Sequence, residues 1–240
     1  MSQKNRQRRW PVIAFAVVIT MLLGAAGLYQ VANARTFQVA GKLTNRVETS
    51  EKLVALTFDD GPDQHTPEII DALAAERVPA TFFLVGSHMA ANPGMAESLV
   101  KAGHQLANHT YTHRRMIFVS EETVADEIER TDGLIRSAGE QGEIFFRPPT
   151  GKKLITLPLY LSEHNRHTVM WDLEPDSGAT PTSAEIVTQV REEVRPGSII
   201  LLHPWYAGGQ NTRDAIRDLT ATLRADGYRF VTVAELLSRG

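Results

Sequence analysis

The ten residues from Leu53 to Pro62 have the sequence Leu-Val-Ala-Leu-Thr-Phe-Asp-Asp-Gly-Pro. The apolar run up to Phe58 predicts a buried β-strand, and the glycine and proline end it sharply. Asp59 and Asp60 then lie side by side at the end of that strand. Like charges at such short range raise one pKa unless a cation lies between them. The stretch therefore predicts a site that holds a divalent ion, an arginine or both, and the alternative is a simple Asp-Gly turn.

The rest of the chain alternates between strand-like and helix-like stretches, which is typical of a parallel α/β fold. The predicted strands are Leu53–Phe58, Ala80–Val85, Gln105–Ala107, Ile144–Phe146, Thr168–Trp171, Ser198–Leu202 and Arg229–Val231. The predicted helices are Thr66–Glu76, Ala90–Ala102, Glu121–Ala138, Leu157–His164, Ser183–Val194, Asn211–Ala225 and Val233–Ser238. A domain of about 200 residues is short for a complete eightfold barrel, which needs about 250. We expect a trimmed (β/α) barrel, with a doubly wound open sheet as the alternative, and either fold places its chemistry at the carboxyl ends of the strands.

Residues 1–34 have the pattern of a targeting segment. Its basic residues are Lys4, Arg6, Arg8 and Arg9. An apolar stretch from Pro11 to Leu28 follows them, and the small residues of Ala32–Ala34 suit cleavage by signal peptidase before Arg35. The apolar stretch is also long enough to cross a bilayer as an uncleaved anchor. The sequence therefore predicts export to the cell envelope or beyond, with a signal peptide or an N-terminal anchor.

We expect a lead-in segment over residues 35–51 and one catalytic domain over residues 52–240.

The charge and the cysteine content of the chain limit which kinds of partner and metal ligand are possible. Without the first 34 residues the chain has 21 basic and 28 acidic residues, a formal charge of −7. An acidic domain without a basic cluster argues against nucleic acid as a partner. Cysteine is absent, so a bound metal must use histidine and carboxylate ligands. We expect a monomer that contacts a membrane only through residues 11–28, if these are retained.

Two histidines follow the third predicted strand at a spacing that suits metal ligation. His109 and His113 are four residues apart and can face one ion, and the alternative is a pair of exposed histidines. Two histidines and one carboxylate, with an open position for water, form a catalytic zinc arrangement. Asp60 is the predicted third ligand, which leaves Asp59 beside the metal.

Further polar residues follow the fourth and sixth predicted strands. Arg147 precedes two prolines that fix its backbone, and we expect it to pair with Asp59 and hold that carboxylate ionised, with a surface ion pair as the alternative. His203 ends a very apolar strand. A histidine there is a candidate general acid near neutral pH, and the alternative is a core residue. Trp205 follows closely enough to line a substrate groove.

Five motifs in this order resemble the polysaccharide deacetylase family, the NodB-homology carbohydrate esterases. The motifs are Thr57–Pro62, His109–His113, Arg147–Gly151, Trp171–Asp176 and Leu201–His203. The resemblance covers about Lys52 to Leu237. It implies a distorted, incomplete (β/α) barrel. It also implies that Asp60, His109 and His113 bind a divalent metal, usually zinc.

The same resemblance implies roles for five other residues. Asp59 would be the general base, oriented by Arg147. His203 would be the general acid. Leu201 would line the pocket for the acetyl methyl group, and the backbone N–H of Thr150 would help to hold the oxyanion.

Two motifs depart from the family pattern. Thr150 stands where an aromatic residue is usual, which makes the predicted groove wall smaller. The fourth motif usually ends in Asp-Trp, and here the chain reads Glu-Pro-Asp-Ser-Gly from residue 174. Asp176 is the predicted acidic partner of His203, with Asp172 and Glu174 as alternatives.

The sequence predicts a metal-dependent hydrolase that removes N-acetyl groups from an amino-sugar glycan and releases acetate. Peptidoglycan and chitin oligomers are the candidate substrates. One alternative is a glycan-binding protein that has the same fold without turnover. Another is an esterase that removes O-acetyl groups.

Overall fold

The computed structural model of the protein describes residues 3–178 and 180–240. Its strands are β1 Lys42–Thr44, β2 Leu53–Asp59, β3 Thr81–Leu84, β4 Gln105–Asn108, β5 His167–Val169, β6 Ile199–Leu202 and β7 Arg229–Val231. Its helices are α1 Gln3–Asn33, α2 Thr66–Ala75, α3 Gly86–Ala91, α4 Met95–Lys101, α5 Glu121–Ser137, α6 Thr156–Glu163, α7 Ser183–Glu193, α8 Gln210–Ala225 and α9 Val233–Leu237. Two short 3-10 helices span Pro149–Gly151 and Ala207–Gly209.

The strands among the described residues pair in parallel throughout. The main sheet has the order β4-β3-β2-β6, β7 pairs with the first half of β2, and β1 pairs with β5. Isolated bridges join Phe146 to both Asn108 and Thr168, and Leu173 to Ile200. The strands thus run from β4 through β5 towards β6 as a distorted, incomplete barrel. The predicted parallel α/β fold is confirmed.

Strand β2 is buried on both faces, and the alternation of its side chains between these faces determines where the site lies. Val54, Leu56 and Phe58 pack into the cluster that contains the outer helices. Leu53 and Ala55 face the other cluster, inside the sheet. Because side chains alternate along a strand, Asp59 falls on the same inner face as Leu53 and Ala55. The last residue of β2 therefore projects a carboxylate into the barrel interior at its carboxyl end.

Three elements differ from the sequence prediction. The predicted strand Ile144–Phe146 is present only as the bridges at Phe146, because its neighbours pair for a single residue. The predicted helix Ala90–Ala102 is two helices, α3 and α4, since Pro93 and a left-handed Gly94 (φ 85°) separate them. The predicted lead-in contains β1, which pairs with β5 and extends the folded domain towards the N-terminus.

Helix α1 presents an apolar surface that the rest of the chain does not cover. Over Ala14–Asn33 its mean hydropathy reaches 1.9, and the side chains of residues 14–30 are exposed. These are the length and composition of a membrane span or a signal sequence. The end of α1 nevertheless meets the domain, where the carbonyl of Ala32 accepts a hydrogen bond from the backbone N–H of Lys153 at 3.1 Å.

Candidate active site

The strand ends surround a cavity of about 280 Å³. The residues that line it are Arg35, Asp59, Asp60, His109, His113, Thr150, Trp171, Glu174, Leu201 and His203. Seven of the ten residues predicted as site residues are among them. The polar groups that follow separate strands in the sequence are thus brought together at one end of the fold, as expected for parallel strands.

The backbone around the two predicted metal-ligand motifs is strained. Asp60, Thr110 and His113 adopt left-handed conformations, with φ of 78°, 68° and 57°. Each such residue costs about 1–3 kcal/mol and persists only where its surroundings hold it. Buried Glu127 of α5 supplies part of that support, because its Oε2 accepts the N–H groups of Tyr111 and Thr112, both at 2.8 Å. No local pattern predicts this role for Glu127, because it reaches the loop from a distant helix.

Asp60, His109 and His113 face one another as a possible metal-binding triad. Their candidate ligand atoms all lie within 4.8 Å of one another. Oδ1 of Asp60 is 3.4 Å from Nε2 of His109 and 3.0 Å from Nε2 of His113. His109 Nδ1 lies 2.7 Å from the carbonyl oxygen of Arg147, which can only accept a hydrogen bond. His109 therefore carries its proton on Nδ1 when neutral, and the lone pair of Nε2 faces the Asp60 carboxylate.

That arrangement fits a divalent cation. Oδ1 of Asp60 is buried and lacks a well-directed hydrogen bond. Burial alone would raise the pKa of Asp60, but the two imidazoles outweigh burial and hold the pKa well below its usual range. Contact with Asp60 in turn raises the pKa of His113. A cation among these atoms would satisfy the carboxylate and both nitrogens, and it would compete with the proton on His113.

Asp59 is held by a completely buried arginine. Arg147 Nη1 donates to Oδ1 of Asp59 at 2.6 Å and to Oγ1 of Thr57 at 3.0 Å. Its other donors reach the carbonyls of Val169 and Met170. The second oxygen of Asp59, Oδ2, lies 3.6 Å from Nε2 of His109. One carboxylate oxygen is therefore fixed by the arginine, while the other faces the metal triad.

His203 lies across the cavity with an acidic partner. Its Nδ1 is 3.2 Å from Oδ1 of Asp176, and Oδ2 of Asp176 accepts hydrogen bonds from the backbone N–H of His203 and the hydroxyl of Thr212. Burial alone would lower the pKa of His203, but the Asp176 carboxylate, aided by Asp59 and Asp60, raises it to about 9. The imidazole is therefore protonated at neutral pH.

The two alternative partners of His203 make other contacts. Asp172 accepts hydrogen bonds from the hydroxyl of Ser198 and the N–H of Ile199, both at 2.8 Å. Glu174 bonds to the indole N–H of Trp171. Among the three candidate carboxylates, Asp176 is the one in contact with His203.

The sequence of this chain matches a known protein family. A profile described as polysaccharide deacetylase matches residues 46–169 of this chain. The chain belongs to the polysaccharide deacetylase family. The family resemblance inferred from the five motifs is confirmed.

Known members of the polysaccharide deacetylase family align over most of the chain. It is 32% identical over 206 residues to a peptidoglycan-N-acetylglucosamine deacetylase of Bacillus cereus, covering 85% of this chain and 96% of the relative. It is 37% identical over 180 residues to a chitooligosaccharide deacetylase of Bradyrhizobium, covering 73% and 81%. A crystal structure of a peptidoglycan N-acetylglucosamine deacetylase superimposes with a TM-score of 0.77 at 30% identity, covering 82% and 92%.

The three predicted substrate-binding residues occupy different positions. Thr150 is exposed at the mouth of the cavity with φ of 58°, and Leu201 lines its floor. Trp205 is buried outside the cavity, which differs from its predicted place on a groove wall. Its ring packs near Phe82 and fills the space beside Gly61, where a Cβ would lie 2.3 Å from the ring. A residue without a side chain at position 61 therefore lets the tryptophan turn inward.

Arg35 is a cavity residue that sequence reasoning missed. Its Nη2 bonds to Oε2 of Glu174 at 2.8 Å, and its guanidinium carbon lies 4.7 Å from the ring centre of Trp171. The same Glu174 oxygen accepts the indole N–H of Trp171. The sequence contains no signal for this contact, because Arg35 is remote from every motif and directly follows the predicted cleavage point.

Proposed function

We propose that the protein is a divalent-metal-dependent hydrolase that removes N-acetyl groups from an amino-sugar glycan at the cell envelope. The observation that carries the proposal is the placement of three groups around one cavity: the Asp60, His109 and His113 triad, Asp59 fixed by Arg147, and His203 beside Asp176. Two histidines and one carboxylate favour zinc.

The reaction adds water across the amide bond of an N-acetyl group. Asp60, His109 and His113 would hold a divalent metal, which would supply Lewis acidity for the acetyl carbonyl and lower the pKa of a bound water. Asp59, whose Oδ1 is held by Arg147, accepts the proton of the attacking water. The C–N bond then breaks, and the electron pair leaves with the sugar nitrogen. The products are acetate and a free amine.

His203 supports the departure of the amine. An amine is a poor leaving group unless it is protonated, so the acid must lie on the side of the scissile bond opposite the base. His203 fits that role because its raised pKa keeps it protonated at neutral pH. A bound cation would offset part of the contribution from Asp59 and Asp60, whereas the contribution of Asp176 would remain. The backbone N–H of Thr150, at the cavity mouth, is the proposed oxyanion donor, and Leu201 is the proposed contact for the acetyl methyl group.

Acetate release tests this proposal directly. The full chain in detergent is incubated with N-acetylglucosamine oligomers and peptidoglycan, with acetylated xylan as an O-acetyl control. We expect acetate from an N-acetylated glycan, loss of activity with a chelator and recovery with zinc. Acetate from xylan alone would support an O-acetyl esterase. Glycan binding without acetate from any substrate would support a non-catalytic glycan-binding protein.

A further inference from the structure

The exposed large apolar side chains of the domain are concentrated on a few neighbouring segments. Beyond α1, the large apolar residues that are exposed in the described part of the chain are Phe37, Val39, Phe118, Ile155, Leu159 and Tyr206. All except Tyr206 lie on segments that adjoin the end of α1. We call these five residues the apolar rim. Phe118 is the most exposed of them, at 83%.

Lys153 ties two rim segments to the end of α1. Its backbone N–H donates to the carbonyl of Ala32, and its ammonium donates to the carbonyl of Ala34. A β-bridge pairs Lys153 with Met116. Phe118 lies two residues beyond Met116, and Ile155 lies two residues beyond Lys153. Both exposed side chains therefore flank the point where α1 ends.

The remaining rim residues belong to the same region. Leu159 follows Ile155 by one turn of α6, and its N–H donates to the Ile155 carbonyl. The segment that carries Phe37 and Val39 starts directly after Arg35 and runs against α6, since a Cβ at Gly41 would lie 3.2 Å from Ser162. The five side chains thus form a discontinuous apolar surface around the base of an apolar helix.

Basic residues accompany the apolar rim. Arg114 and Arg115 are exposed on the segment that leads to Phe118. The ammonium of Lys152 lies 5.9 Å from the ring of Tyr29, which is 64% exposed near the end of α1. Aromatic and basic side chains at the end of an apolar helix are typical of the membrane interface, where they meet anionic headgroups.

The contacts of Lys153 favour retention of α1. Lys153 is 1% exposed, and the carbonyl of Ala34 is the hydrogen-bond acceptor that the structure gives its ammonium. Cleavage after Ala34 would remove that acceptor together with the Ala32 carbonyl. A buried ammonium without a hydrogen-bond acceptor raises the free energy of the folded state. The folded domain is therefore more stable when residues 1–34 are retained.

We propose that α1 anchors the protein in a phospholipid bilayer and that the apolar rim rests on the surface of that bilayer. Arg35 lines the catalytic cavity only two residues after α1 ends, a chain distance of at most about 7 Å. The cavity is therefore held at the membrane surface. On the basis of the proposed function, its substrate is an N-acetylated glycan that is itself held close to the membrane.

Nitroxide quenching tests the membrane contact without requiring turnover. The chain has no cysteine, so Phe118→Cys and Ile155→Cys each give a single labelling site. Ser50→Cys is the control, since Ser50 is exposed near the opposite end of β2. The bimane-labelled full chain is reconstituted in phosphatidylethanolamine and phosphatidylglycerol vesicles containing headgroup nitroxide lipid. We expect roughly threefold or stronger quenching at positions 118 and 155 than at 50. Equal quenching at all three positions would overturn the proposal.

Two further measurements separate this inference from the proposed function. The intact mass of the protein isolated from membranes should include residues 1–34, and their absence would overturn the anchoring.

The Phe118→Asp, Ile155→Asp double variant should retain acetate release from soluble chitooligosaccharide. It should lose roughly threefold or more with a lipid-anchored chitooligosaccharide in the same vesicles, whereas Ser50→Asp should change neither rate. Equal loss on both substrates would contradict the membrane role. Strong quenching without any acetate release would contradict only the proposed function.

Discussion

The two sides of the catalytic cavity are built differently. On the base side, the side chains of Asp59, Arg147 and His109 are at most 3% exposed and follow or flank buried strands. On the acid side, the His203 side chain is 27% exposed, and Thr150 is exposed on a short 3-10 helix. Both sides begin at strand ends, since His203 directly follows β6. On the base side, however, a fully buried arginine fixes Asp59, whereas the acidic partner of His203, Asp176, comes from a loop. Substitutions on the base side are therefore expected to remove one chemical function completely. Substitutions on the acid side are expected to reduce activity by amounts that differ from residue to residue.

The largest effect is expected on the base side, at His109. His109→Ala removes one of three metal ligands and leaves Asp60 buried beside a single imidazole. We expect loss of bound metal and of acetate release down to background, because the triad no longer completes the metal site. Metal content measured by mass spectrometry alongside acetate checks this. His164→Ala is the control, since His164 is exposed just after α6 and its imidazole contacts the carbonyl of Tyr160. Full metal content in His109→Ala would contradict the ligand assignment.

Loss of His203 should slow the reaction while leaving the metal bound. We expect His203→Ala to lower kcat for an N-acetyl substrate by about 10²–10⁴-fold, because the departing amine loses its proton donor. Hydrolysis of an aryl acetate should fall much less, since that leaving group departs without protonation. Equal losses on the amide and the aryl ester would exclude His203 as the general acid.

A smaller, pH-dependent effect is expected at Asp176. The Asp176 carboxylate raises the pKa of His203, and the acid works only while His203 is protonated, so activity is lost as the pH rises through that pKa. Asp176→Asn should move the alkaline limb of kcat/KM to lower pH by about 1–3 units. Asp226→Asn, at a surface ion pair with Arg191, should leave the limb in place. An unchanged limb in Asp176→Asn would contradict the assignment.

The smallest effect is expected at Arg35, on the cavity wall. Arg35→Ala removes a guanidinium from the edge of the cavity without touching the base or the acid. We expect KM to rise by roughly 3–10-fold, equivalent to about 1 kcal/mol of binding, with little change in kcat. Arg191→Ala, at an exposed ion pair with Asp226, is the matched control. A fall in kcat with an unchanged KM would show that Arg35 acts in the chemical step.

Features that depend on local sequence patterns could be predicted, whereas features that depend on tertiary contacts could not. The apolar run before Asp59 and the 3.6-residue period of α8 depend on local patterns, so those elements were predicted within one residue. The split of Ala90–Ala102 depended on Pro93 and Gly94, a local signal that the helical pattern obscured. Arg35 and Glu127 reach the site from distant segments through tertiary contacts, which no local pattern encodes. The predicted position of Trp205 on the groove wall is wrong, because the direction of its ring depends on the absence of a side chain at Gly61.

The most direct test of the account compares two neighbouring carboxylates, Asp59 and Asp60. Metal content and acetate release are measured for the wild type, Asp59→Asn and Asp60→Asn in zinc-containing buffer. The account predicts that Asp59→Asn retains its metal but loses about 10²–10⁴-fold in kcat, because only the base is removed. Asp60→Asn should lose both metal and activity. Near-full acetate release by Asp59→Asn, or retention of metal and activity by Asp60→Asn, would contradict the division of the pair into base and ligand.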